Sequence, residues 1–186
     1  MVASSTVAIV DGPRLGLTHE QVEVAESDSR WRLVFDALAA QLRTALADLD
    51  VVVEHVGSTS VPGLAAKPII DVAVGIRGEI AIERIIQVLG PLGYIYRRDE
   101  GASGGQLFVV DEDGQPGNRI AYVHVVTTAD PQWARYLGFR DLLRGNPDAR
   151  IEYEELKRRL AAEFPDDRIG YTSAKQSFIE HLLATS

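Results

Sequence analysis

Apolar positions recur at helical spacing through Trp31, Val34, Phe35, Leu38, Leu42, Ala45, Leu46 and Leu49. That period predicts a helix starting near Arg30 with one buried face, and Asp28 or Ser29 can cap it. The pattern then changes. Residues 51–55 are mostly β-branched and apolar, and residues 69–76 are nearly all apolar apart from Asp71. Both stretches read as buried strands. Between them lie the polar turn Gly57-Ser58-Thr59-Ser60, a Pro/Gly connector, Lys67 and Pro68. A second helix is expected over 79–89, with Ile82, Ile85, Ile86 and Leu89 inward and Gly90-Pro91 as its stop.

Further strands are expected at 94–98, 106–110 and 119–126. A flexible loop is expected over 99–105, and the last two strands form a hairpin around a polar loop at 111–118. In the strand at 119–126, Tyr122 and His124 share one face, and Ala121, Val123 and Val125 share the other. From Pro131 the pattern is helical. One helix carries Trp133, Tyr136, Leu137 and Leu143 and ends at Gly145-Asn146-Pro147. Asp148 can cap the next, which ends near Phe164-Pro165. Thr172 or Ser173 can cap the last, with Phe178 and Leu182 inward. Residues 1–20 read as a loose arm with a short strand at 6–10. Strands in the first two thirds and helices at both ends predict a single α+β domain over 1–186, a mixed β-sheet flanked by helices with a helical C-terminal extension.

Composition narrows the function. At 186 residues one domain is expected. The net charge of −8 argues against broad nucleic-acid binding, which needs a basic face. There is no cysteine, hence no disulfide and no thiolate metal site. No apolar run reaches membrane-span length, and Asp11 and Pro13 break the apolar run of the N-terminus, so no secretory signal is read there. A cytoplasmic location is expected.

The chemistry concentrates around the first strand pair. Gly57, Ser58, Thr59 and Ser60 offer small side chains, hydroxyls and close backbone approach, which suit an anionic group. Asp71 is a carboxylate within a buried strand, costly unless it is paired, hydrogen-bonded or bound to a cation. A hydroxyl-rich turn for phosphates with a strand-borne Asp for a cation suits metal-assisted phosphate chemistry. Glu54 and His55 precede the turn and point to opposite faces, so one of them can face the site as a ligand or general base. His124 is either a further functional group or a hydrogen-bonded core residue. Arg140 and Arg144 share a helix face. They can clamp phosphates or pair with Asp141, Glu152 or Glu154. Lys175 follows Tyr171 on the last helix.

The run GSTSVPGLAAKPIID, from Gly57 to Asp71, resembles the signature of the GrpB family, a bacterial group similar to nucleotidyltransferases of the DNA polymerase beta type. The likeness continues through Leu137-Gly138-Phe139-Arg140-Asp141-Leu142-Leu143-Arg144, Glu152-Tyr153, Leu156-Lys157 and Tyr171-Thr172-Ser173-Ala174-Lys175. Early on, Ser27 and Ser29 replace the Tyr and Pro of the family's usual lead to Trp31. The resemblance implies a nucleotidyltransferase-like fold with added C-terminal helices. It also implies Asp71 as a ligand of Mg²⁺ and His124 as a further catalytic candidate, beside Glu54, which its place before the turn offers as a ligand or general base. Gly57, Ser58, Thr59, Ser60, Lys67, Arg140 and Lys175 are the expected phosphate contacts. Transferases of this type carry two strand carboxylates one residue apart, facing one side, and here Ala73 stands at the second position. The family's His-x-His is Tyr122-Val123-His124. Some relatives are fused to dephospho-coenzyme A kinase, but this chain has no P-loop motif. Two functions follow as expectations. One is metal-dependent nucleotidyl transfer from an NTP to a small-molecule or protein acceptor. The other is a non-catalytic module of the same fold binding a phosphorylated ligand or a protein partner.

Overall fold

A computed structural model describes residues 14–18, 21–79, 81–97 and 105–185. Five strands form one mixed sheet in the order β1-β2-β5-β4-β3: β1 (Val51–Val56), β2 (Ile70–Ile76), β3 (Tyr94–Arg97), β4 (Gln106–Glu112) and β5 (Gln115–Thr127). All neighbours are antiparallel except β2 and β5, which run parallel with Asp71 opposite Tyr122 and Ala73 opposite His124. The strands read from residues 51–55, 69–76 and 119–126 therefore lie side by side. The α+β architecture is as expected.

Both faces of the sheet are covered, which explains why β2 is apolar on both sides. Helices α1 (Trp31–Ala45) and α2 (Ile82–Leu89) pack on one face, where Phe35, Leu38, Leu42 and Ile85 meet Val53, Val72, Val74, Val123 and Val125. Helices α3 (Pro131–Gly145), α4 (Pro147–Glu163) and α5 (Arg168–Ala184) stand over the other face. Two smaller apolar clusters hold them. One joins Val61 and Leu64 to Phe139, Leu143 and Tyr153, and the other joins Val22 to Leu160 and Tyr171.

Several local expectations need correction. The polar loop at 111–118 is mostly strand, because Asp113-Gly114 makes a two-residue hairpin turn between Glu112 and Gln115, with Gly114 at φ 71°. The Asp111 carboxylate then accepts bonds from Gly117 N–H (2.8 Å) and Arg119 Nε (2.7 Å), ordering the bulged stretch. Asp28 does not cap α1 in the ordinary way. It accepts from Arg30 N–H one residue before the helix. Asn146, not Asp148, caps α4, and Asp167, not Thr172 or Ser173, caps α5. Each accepts an N–H three residues on. The last helix therefore starts at Arg168. The strand expected at 6–10 and most of the loop expected at 99–105 lie outside the described residues. The described part of the N-terminal arm is bound to the sheet: Gly16 N–H donates to Pro68 O, and Leu17 exchanges backbone bonds with Arg119.

Candidate functional site

The parallel β2–β5 pair sets Asp71, Tyr122 and His124 on the face turned toward α3–α5. Together with the turn after β1 and inward residues of α3, α4 and α5, they line a cavity of about 350 Å³. That is the size range of small-molecule sites. Asp71 and His124 open on it together, with Nε2 of His124 3.7 Å from Oδ1 of Asp71. The His124 ring lies between Tyr122 and Tyr136, with ring centroids 6.4 and 5.1 Å away.

The turn is built around Gly57. Its φ of 66° and ψ of −173° fall in a region open essentially to glycine. A Cβ there would stand 2.3 Å from Oδ2 of Asp71. The chain thus presses its backbone against the strand carboxylate. Ser58, Thr59 and Ser60 then form one 3₁₀ turn. Ser58 and Thr59 reach the cavity, but Thr59 Oγ1 is paired with His55 Nε2 (3.0 Å) and the Ser58 hydroxyl bonds the buried Tyr153. Ser60 does not line the cavity. Its Oγ donates to Gly57 O (2.6 Å), and its carbonyl accepts from Arg144.

Glu54, His55 and Arg140 also fall outside the lining. Glu54 points to the same face as Asp71, but Nη1 of Arg140 donates to it (2.7 Å) and to the His55 carbonyl (3.1 Å), while Nε binds Asp141. The phosphate clamp expected from Arg140 is therefore an ion pair with the catalytic candidate Glu54. His55 points the other way. It stacks on Phe35 at 4.6 Å, and burial lowers its pKa to about 4, so it stays neutral.

What fills the cavity is positive charge. Lys67, Lys157, Lys175, Arg135 and Arg168 line it, against Asp71 as the lone carboxylate of the lining. The Nζ of Lys67 lies 5.1 Å and that of Lys175 4.2 Å from the centroid of the Tyr171 ring. No hydrogen bond or ion pair joins either ammonium to another described residue. Burial, then the charges of Lys175 and Arg168, push Lys67 down to about 7, and burial pushes Lys175 down to about 8. Lys157 is fully buried, donates to the Ala65 carbonyl and lies over Tyr153; burial and Lys175 lower it to about 7. Arg168 binds the Tyr122 hydroxyl (2.7 Å) and the carbonyls of Thr18 and Gln21, with its Nε buried and unpartnered.

Lys157 and Arg168 were not singled out from sequence as site residues. Lys157 carried a signal, because it continues the inward Tyr153–Leu160 face of α4. Arg168 carried none, because the start of α5 was misplaced.

Mg²⁺ wants a near-octahedral set of oxygens. Ala73 adds none, Glu54 is held by Arg140, and no three acidic or histidine side chains gather among the described residues. With five cations against one carboxylate, this donor set does not fit a protein-held Mg²⁺.

The family model described as GrpB protein matches residues 21–185. A UPF0157 protein of Pseudomonas aeruginosa is 39% identical over 164 residues, 88% of this chain and 67% of that protein. The glutamate-rich protein GrpB of Alkalihalophilus pseudofirmus is 30% identical over 170 residues, 91% and 98% of the two chains. Among solved structures, the conserved protein GrpB from Enterococcus faecalis superposes with a TM-score of 0.77 at 34% identity, over 88% of this chain and 96% of that one. The Cid1 poly(U) polymerase, as its H336N mutant bound to MgATP, shares the fold at TM-score 0.52 and 16% identity, over 75% and 44% of the chains.

Proposed function

The chain belongs to the GrpB family, and from that premise we propose that its cavity binds a phosphorylated small molecule of the nucleotide class. The observation that supports this most is the pair of ammonium groups over Tyr171 without an acceptor among the described residues. Half-buried ammoniums left unpaired cost stability, and a phosphate supplies the acceptors and the opposite charge. The apolar part of the lining, with Leu107, Phe139, Ile179 and Leu183, suits a base or other non-polar moiety.

The experiment is thermal denaturation of the full chain with ATP, UTP, GTP and inorganic pyrophosphate. A ligand at a hundred times its Kd adds about 2.7 kcal/mol, which raises Tm by about 5–10 °C in a domain of this size. Absence of any shift with all four probes refutes the proposal.

A second reading, nucleotidyl transfer to an acceptor, is favoured by the packing of Gly57 against Asp71 beside Ser58. The two readings part at Asp71→Asn. Under the binding reading the variant loses the one repulsive charge and holds ATP at least as tightly as the wild type. Under the transfer reading it loses pyrophosphate release from an NTP.

A further inference from the structure

We infer that the cavity takes its phosphorylated ligand as the metal-free anion, with the ammonium groups of Lys67 and Lys175 neutralising the charge that a divalent cation would otherwise carry. The inference rests on the binding reading above and deepens it.

The geometry supports it in three ways. First, Lys67 in the connector before β2 and Lys175 in the middle of α5 line the same cavity and place their ammonium groups over one aromatic ring, that of Tyr171. An anionic group set against Tyr171 comes within reach of both, with three N–H donors on each. Second, the surrounding field is of the same sign. Arg135 makes no ion pair among the described residues, the Nε of Arg168 is buried without a partner among them, and Lys157 Nζ lies 4.9 Å from the Tyr153 ring centroid. A divalent cation entering with the ligand would meet these five basic side chains with Asp71 as its sole anionic ligand from the lining. Third, Asp71 is itself crowded by the Gly57 backbone on one side and His124 on the other, which limits the room for a coordination sphere.

Mg²⁺ also lowers the charge of the ligand it accompanies. A site that works by ammonium–phosphate attraction should therefore prefer ATP to MgATP, the reverse of a metal-dependent site.

The test is calorimetric titration of the full chain with ATP and with inorganic pyrophosphate in EDTA, and of ATP in excess Mg²⁺. Binding of both probes in EDTA is expected, with ATP severalfold weaker when Mg²⁺ is added. Lys67→Met and Lys175→Met should each weaken binding at least tenfold while the Tm of the unliganded protein stays equal or rises. Binding that requires Mg²⁺ overturns this inference and leaves the binding reading standing. Binding in EDTA that neither variant weakens also overturns it, since the anion then sits elsewhere. An equal effect from sulfate at matched ionic strength shows a general salt response and overturns it as well. If neither probe binds in either condition, the binding reading fails with it.

Discussion

Replacing Gly57 with alanine perturbs the backbone and Asp71 at once, and the two effects can be separated. At φ 66° and ψ −173° a non-glycine residue pays about 1–3 kcal/mol in backbone strain alone. The new methyl would also meet Oδ2 of Asp71 at 2.3 Å and its Cγ and Cβ at 2.9 Å, distances no real Cβ keeps, so Asp71 must swing away. Gly57→Ala should therefore lower Tm by about 2–12 °C from strain, more if Asp71 cannot move, and should disturb the cavity. Chemical denaturation of wild type, Gly57→Ala, Asp71→Ala and the double variant forms a cycle. Asp71→Ala removes the carboxylate but keeps the Cβ, so part of the clash is relieved. The double variant should be more stable than the sum of the singles by about 0.5–3 kcal/mol. A Gly57→Ala protein within about 0.5 kcal/mol of wild type would refute the argument that this turn is glycine-only and pressed on Asp71.

Further outcomes follow from the buried groups. His55 is neutral in the fold, with its pKa depressed from 6.5 to about 4. Its contribution is present above pH 6.5 and is lost as pH falls toward 4, up to about 3 kcal/mol. Denaturation of wild type and His55→Gln between pH 7.5 and 4.5 checks it, and parallel pH curves would refute it. Ligand affinity should fall as pH rises from 7.5 to 9, because Lys67, Lys157 and Lys175 lose protons that the bound anion needs. The other charged groups acting on them, Asp71, Arg168 and, beside Lys157, Glu154 and Arg158, bear on the midpoint. Proton uptake on ATP binding at pH 8, compared in two buffers of different ionisation enthalpy, measures this, and zero uptake contradicts it. Arg140→Ala should cost about 1–2 kcal/mol in denaturation, through Glu54 and the His55 carbonyl, and leave ATP affinity within twofold. A large loss of affinity at unchanged stability would restore Arg140 to the phosphate site.

The sequence made the sheet legible where periodicity was unambiguous. Residues 119–126 show their two faces by alternation, whereas residues 69–76 are legible as a strand only by their nearly unbroken apolar run, so Asp71 was joined to His124 by the family resemblance rather than by periodicity. The failures have local causes. Asp113-Gly114 was hidden inside a polar run, so the hairpin was drawn too loose. The caps of α4 and α5 were missed because several polar residues compete at each start, and only the bond made decides between them. Arg140 and Lys67 look alike as isolated cations. What separates them is whether a carboxylate lies across from the side chain, and Glu54 lies across from Arg140 by virtue of β1 packing beside α3. That pairing joins residues 86 positions apart and leaves no trace in spacing.

The two halves of the cavity wall do not share one core. The floor, with Asp71, Tyr122 and His124, belongs to a sheet whose other face is packed by α1 and α2 into a broad apolar cluster. The roof, with Lys157, Arg168, Tyr171 and Lys175, belongs to helices held by two much smaller clusters. Segments with less buried apolar surface open at lower free energy than the global unfolding. Amide hydrogen exchange should therefore be faster in α4 and α5 than in β2 and β5. An anion bridging Lys67, next to the sheet, and Lys175 on α5 would tie roof to floor. Occupancy would then be recorded as slowed exchange in α5, even where no coordinate moves.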